Sequence, residues 1–273
     1  MEVDFVKMSP TRNMTILVTT PLNRADYREL AEKIMAYDNV HAEQVGFLET
    51  PVNPQALARL QMAGGEFCGN ASLSLCAYLV WKGKASCQHE CTIPIESSGS
   101  DGLLYCTIRK SKDHFLGKIN MPVPEIIRDC NAEINGRNYH FPVVYMPGIS
   151  HVIVNTDKID LSEEIIVDAL LCNLEAITDE DAFGVMFYNE QDCCLKPFVY
   201  VKTAGTKVWE RGCGSGTASL GAYLAYTSGK DIKADIPQPG GIITVEAAVA
   251  DKKITSITIE GKIRIVAEGK AYI

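Results

Sequence analysis

Apolar residues recur along this chain with two periods. Short runs of β-branched and aromatic residues, Thr15-Ile16-Leu17-Val18, Val152-Ile153-Val154 and Phe198-Val199-Tyr200-Val201, predict strands. The alternating segment Ile242-Ile243-Thr244-Val245-Glu246 predicts another, after a Pro239-Gly240-Gly241 turn. An Asp251-Lys252-Lys253 turn then precedes a strand over 254–260, Gly261 marks a break, and Ile263-Arg264-Ile265-Val266 closes the run. Helical spacing predicts helices over 27–37 and over 162–173, the latter capped by Ser162.

Two further helices are predicted at a repeated segment. Residues 68–81 read CGNASLSLCAYLVW and residues 213–226 read CGSGTASLGAYLAY. Without a gap they share Cys68/Cys213, Gly69/Gly214, Ser74/Ser219, Leu75/Leu220, Ala77/Ala222, Tyr78/Tyr223 and Leu79/Leu224. A weaker echo relates residues 8–18 to residues 146–154. A matched Cys-Gly opening is not what chance similarity of two amphipathic helices gives, so the pattern implies a duplicated chain. The expected fold is α+β: two pseudo-symmetric lobes, each a curled, mainly antiparallel sheet around a central helix. The expected boundaries are 1–122 with 262–273 for one lobe and 123–261 for the other.

Composition narrows the function. The 273 residues carry 26 basic and 34 acidic side chains, a formal charge of −8. This acidic balance disfavours nucleic acid and anionic membrane surfaces as partners. No apolar run is long enough for a transmembrane helix, and the first residues, MEVDFVKMSPTRN, do not read as a secretory signal. A cytoplasmic location with reduced thiols is the expectation. The ten cysteines have no Cys-x-x-Cys or zinc-finger spacing, so no metal is expected, and most are expected to be buried packing residues. His151 reads as a partly buried structural residue, Tyr78 and Tyr223 as core, and Glu175, Asp179, Glu180 and Asp181 as a solvated face.

Two cysteines stand where a packing residue would not. Gly64-Gly65-Glu66-Phe67 leads into Cys68, and Gly212 and Gly214 bracket Cys213, so each sulfur falls at a helix start. The unpaired N–H groups and partial positive charge there favour thiolate and can grip a carboxylate. If two such starts face across a cleft between the lobes, one sulfur removes a proton from a stereocentre and the other returns one to the opposite face, with no cofactor. Two readings of another class remain open at this point, a thiol–disulfide redox protein and a non-catalytic small-molecule binder. The Gly212–Gly216 cluster is an incomplete match to a dinucleotide loop.

Carried by these motifs, the chain resembles the diaminopimelate epimerase-like superfamily of cofactor-independent amino-acid racemases and epimerases, nearly end to end. Cys68-Gly69-Asn70 is similar to the first catalytic element. Glu210-Arg211-Gly212 and Cys213-Gly214-Ser215-Gly216 resemble the second, and Gln238-Pro239-Gly240-Gly241 the late turn. Within the superfamily, EQVGFLE, EFCGNAS, CGSGTAS and GKAYI resemble the histidine racemases. Ala71-Ser72-Leu73 replaces the Gly-x-Arg of diaminopimelate epimerase, and Arg211 lies closer to the second cysteine than in that enzyme. EFCGNAS is also similar to the phenazine-biosynthesis isomerases, which lack the cysteine pair. The resemblance implies Cys68 and Cys213 as catalytic groups, and Asn13, Gln44, Gly69, Asn70, Glu210, Arg211, Gly214 and Ser215 as substrate-binding. It implies no cofactor, an amino-acid substrate with histidine preferred and diaminopimelate the alternative, and relatives that are often homodimers.

Overall fold

The computed structural model describes residues 1–203 and 205–273. The chain forms two compact units, Met1–Asn120 with Glu260–Ile273, and Met121–Ile259.

The first unit contains β1 (Glu2–Pro10), β2 (Thr15–Val18), α1 (Tyr27–Met35), β3 (Gln44–Glu49), β4 (Arg59–Met62), α2 (Gly69–Trp81), β5 (Glu90–Ser97), β6 (Leu104–Lys110) and most of β7 (Phe115–Met121). The strands run in sequence order from β1 to β7, and the last strand of the chain stands between β7 and β1. The sheet thus closes on itself around α2. That enclosure explains a helix apolar on every side: each residue from Gly69 to Val80 is buried. Two neighbouring pairs, β2–β3 and β4–β5, are parallel. The first matters for the site, because it sets Thr15 beside Gln44.

The second unit contains β8 (Ile126–Ile134), β9 (Arg137–Met146), β10 (Ile149–Asn155), α3 (Glu163–Cys172), α4 (Leu174–Ile177), β11 (Ala182–Asn189), β12 (Cys194–Val201), β13 (Thr206–Trp209), α5 (Gly214–Ser228), β14 (Ile232–Gln238) and β15 (Gly241–Ala250). Its six-stranded sheet has the order β13-β12-β11-β10-β9-β8, with only β10–β11 parallel. Helix α5 packs on β14, β15 and the inner strands β9 to β11. It ends at Gly229, whose left-handed φ of 65° is a conformation glycine adopts without penalty. Ser162 caps α3 as expected, accepting from the Ile165 N–H.

Four expectations are corrected. The final strand, β16 (Lys253–Tyr272), runs unbroken through Gly261, with β7 and β15 as its neighbours in the sheet and β1 joining from Ile263 onward. Only Cys76, Cys106 and Cys213 of the ten cysteines are buried; Cys172, Cys193 and Cys194 are exposed. Tyr223 is half-buried, since it faces a cavity of the second unit, whereas Tyr78 is core. His151 is fully buried between β11 and α5 rather than partly buried.

Candidate functional site

In the first unit, Cys68 occupies the N-cap of α2 with extended backbone (φ −132°, ψ 110°), and its sulfur accepts from the Ala71 N–H at 3.4 Å. The turn that delivers it is held from below. Ser98 Oγ accepts from the Met62 N–H at 2.9 Å and donates to the Glu66 carbonyl at 2.8 Å. Gly99 (φ +65°) is required beside it, because a Cβ there would lie 2.2 Å from the Phe67 nitrogen.

A hydrogen-bonded chain through Gln44, Thr15 and Asn13 leads to this sulfur. The Cys68 thiol donates to Gln44 Oε1 at 2.8 Å. Gln44 Nε2 donates to Thr15 Oγ1 at 2.9 Å and to Asn13 Oδ1. Asn13 is 2% exposed and follows a tight turn in which Thr11 and Arg12 both have positive φ. Gly69 and Asn70 are buried in the first turn of α2. The structure therefore brings Cys68, Gly69, Asn70, Gln44 and Asn13 together, and adds Thr15, a strand residue with no motif to single it out.

In the second unit, Cys213 caps α5 with nearly the same backbone (φ −108°, ψ 110°), and its sulfur accepts from the Gly216 N–H at 3.3 Å. Gly216 is needed on steric grounds: a Cβ would lie 2.2 Å from Met186 Sδ and 3.2 Å from the sulfur. Gln238, from the late turn, accepts from the Cys213 N–H at 2.8 Å and donates to Thr217 Oγ1 at 2.7 Å, and Thr217 donates to the Cys213 carbonyl at 2.6 Å. The capping peptide is thus tied on both sides. The Gln-Pro-Gly-Gly motif was legible, but this role for it was not.

The surroundings of this sulfur are different. Cys213 is 3% exposed. Burial first, and then the neighbouring Glu210 carboxylate, to which the thiol hydrogen-bonds, hold it well above the ordinary thiol range. Ser215 Oγ lies 3.5 Å from the sulfur and 3.4 Å from His151 Nε2, while His151 Nδ1 meets Ser219 Oγ at 2.9 Å. Burial pushes the His151 imidazole down to about 3, so it is neutral at ordinary pH. Glu210, Gly214 and Ser215 thus gather at Cys213. Arg211 has an exposed side chain, and its carbonyl accepts from the Gly240 N–H at 2.6 Å.

Two cavities of the second unit, of about 320 and 540 Å³, are not lined by Cys213, although Gln238 borders the smaller. Among the described residues no group of three or more His, Cys, Asp or Glu is arranged to hold a metal ion. No helix among them is long and apolar enough to cross a membrane.

Chemically, each unit offers a sulfur at a helix start beside backbone N–H donors, one against a neutral amide and one against a carboxylate. Comparison with known proteins identifies the family. Residues 2–272 match the family described as the histidine racemase CntK N-terminal domain. A histidine racemase of Fusobacterium nucleatum is 36% identical over 275 residues, covering 99% of this chain and 97% of its own. A histidine racemase of Staphylococcus aureus is 29% identical over 276 residues, covering 99% and 98%. Two solved structures share the fold. The Bacillus anthracis phenazine biosynthesis protein of the PhzF family has a TM-score of 0.71 at 15% identity, over 100% of both chains. A hydroxyproline epimerase from Agrobacterium vitis has a TM-score of 0.69 at 13% identity, over 99% of this chain and 92% of its own. With a sheet-dominated α+β fold common to these isomerases and a family match that runs nearly its whole length, the chain belongs to the histidine racemase family.

Proposed function

We propose that this protein is a cofactor-independent histidine racemase, converting L-histidine to D-histidine and back, in which Cys68 and Cys213 address opposite faces of one α-carbon. The reading takes the two units as pseudo-symmetric lobes of the diaminopimelate epimerase-like kind, with substrate in the cleft between them. The observation that carries it is the matched cap. Two cysteines 145 residues apart adopt the same extended backbone, and each sulfur accepts from the N–H three residues on.

The chemistry follows from the groups present. One sulfur, as thiolate, takes the α-hydrogen as a proton; the other, as thiol, delivers a proton to the opposite face. Between the two transfers, negative charge passes into the substrate carboxylate. In this reading the N–H groups of Gly69 and Asn70, or of Gly214 and Ser215, hold that carboxylate and stabilise the charge. Glu210 accepts the Cys213 proton and frees that sulfur to act as base. Asn13, Gln44 and Arg211 complete the substrate surround. Both sulfurs must remain unlinked, which suits a reducing cytoplasm.

The test is proton exchange. In D2O the enzyme is expected to replace the α-hydrogen of L-histidine with deuterium as D-histidine accumulates, followed by NMR and chiral chromatography. Cys68→Ala and Cys213→Ala should each lower racemisation by on the order of 10²–10⁴-fold. Normal racemisation by either variant would refute the two-sulfur mechanism. Failure of L-histidine to exchange, with another amino acid exchanging instead, would refute the substrate.

A further inference from the structure

The proton on Cys68 is fixed by a chain of hydrogen bonds that ends at a threonine. Thr15 Oγ1 donates its single hydrogen to the Asn13 carbonyl at 3.3 Å. Toward Gln44, 2.9 Å away, that oxygen is therefore an acceptor, and the group facing it must be the Gln44 NH2. The second NH2 hydrogen goes to Asn13 Oδ1. With its nitrogen so committed, Gln44 presents Oε1 to the sulfur. An amide oxygen only accepts, so the hydrogen at this 2.8 Å contact belongs to sulfur. The geometry is built into the backbone: Thr15 and Gln44 are register partners at the starts of the parallel strands β2 and β3, and Thr15 is fully buried.

We infer that Gln44 is a positioning residue that keeps the proton on Cys68, whereas the Cys213 thiol, also protonated at rest, can pass its proton to Glu210 and act first as the base. This rests on the reading that these two sulfurs are the acid and the base. The balance is simple. Glu210 is able to take up the proton that Cys213 loses, whereas Gln44 has no site for a proton from Cys68. Once Cys68 has given its proton to the substrate, its thiolate faces a carbonyl oxygen, an electrostatically unfavourable contact that draws a proton back to the sulfur. The two half-reactions start from unequal partners.

Infrared spectroscopy of the full chain reads this directly, since the S–H stretch falls in a window free of other protein bands. The difference between the wild-type protein and Cys68→Ala is expected to contain an S–H band at lower wavenumber than that of a thiol without an acceptor. In Gln44→Leu the Cys68 band should move to higher wavenumber. Thr15→Val, which keeps shape but removes the acceptor that orients the amide, should broaden the band and move it the same way. It provides the reading should Gln44→Leu fail to fold. Absence of a Cys68 S–H band in the wild-type protein, or a band unmoved by these substitutions, would overturn the inference. The readout is independent of turnover. A band that behaves as described in a protein whose Cys68→Ala variant still racemises would sink the two-sulfur mechanism and leave the hydrogen bond standing. An unmoved band in an enzyme that needs both sulfurs would sink only the role of Gln44.

Discussion

The two helix starts are alike in backbone and unlike in everything that handles a proton. Each cysteine caps its helix in extended conformation and points its sulfur back at the N–H three residues on. Cys68 is partly exposed and meets a neutral amide from β3. Cys213 is buried and meets a carboxylate, with Ser215 and a buried histidine behind it. The contrast continues one turn into each helix. Ser219 is bonded to His151, whereas its repeat counterpart, Ser74, is buried with no hydrogen-bond partner for its hydroxyl among the described residues. A repeated local sequence is enough to reproduce a cap. The acidity of a group placed on that cap is decided by the side chains around it, and these differ: Gln44 from β3 at Cys68, and Glu210 from the adjoining connection at Cys213.

Making the second site resemble the first is the sharpest way to break this contrast. Glu210→Gln replaces the carboxylate by an amide, so Cys213 loses its proton acceptor. On the proposed mechanism kcat should fall by on the order of 10²-fold, the scale of one general acid–base contribution. The same substitution removes a charge that raises the thiol, so alkylation of Cys213, mapped by mass spectrometry across pH, should begin at lower pH than in the wild-type protein. Unchanged kcat with an unchanged alkylation profile would mean that the two sulfurs do not differ through Glu210.

A smaller effect isolates the histidine found in only one of the two sites. His151 has its folded value depressed to about 3, below an unfolded value near 6.5. Between these values the unfolded chain binds a proton that the folded chain refuses. Stability is therefore undiminished above about pH 6.5 and falls as pH drops toward 3, by up to about 1.4 kcal/mol per pH unit. Urea unfolding across this window should show that slope, and His151→Gln should flatten it. An equally steep slope in the variant would assign the acid sensitivity to other groups.

Much of this was legible in the sequence, for identifiable reasons. Cys-Gly after a glycine-containing turn announced both helix starts, because each is followed at once by apolar residues at helical spacing. The run Thr15–Val18 and the alternation after Gly241 announced strands through β-branched content and period. The Gly261 break does not occur although a glycine in a strand pattern often marks an irregularity; β16 has neighbours on both sides in the sheet, and that pairing outweighs one glycine. The cysteines were misread because a residue type's average burial says little about strand ends and loops, where most of these lie. The partners of the sulfurs were partly legible. Glu210 is close to Cys213 in sequence. The bond from Cys68 to Gln44 spans 24 residues and that from His151 to Ser219 spans 68, so each exists only once β3 and β10 are in place.

If these two dissimilar sulfurs serve one carbon, mild oxidation should join them, and mass mapping of the oxidised protein reads the link. A single dominant new link, Cys68 to Cys213, is expected to form in step with loss of histidine racemisation and to be reversed with it by reductant. Full inactivation with both sulfurs still separately alkylable, or undiminished racemisation by the linked protein, would contradict it.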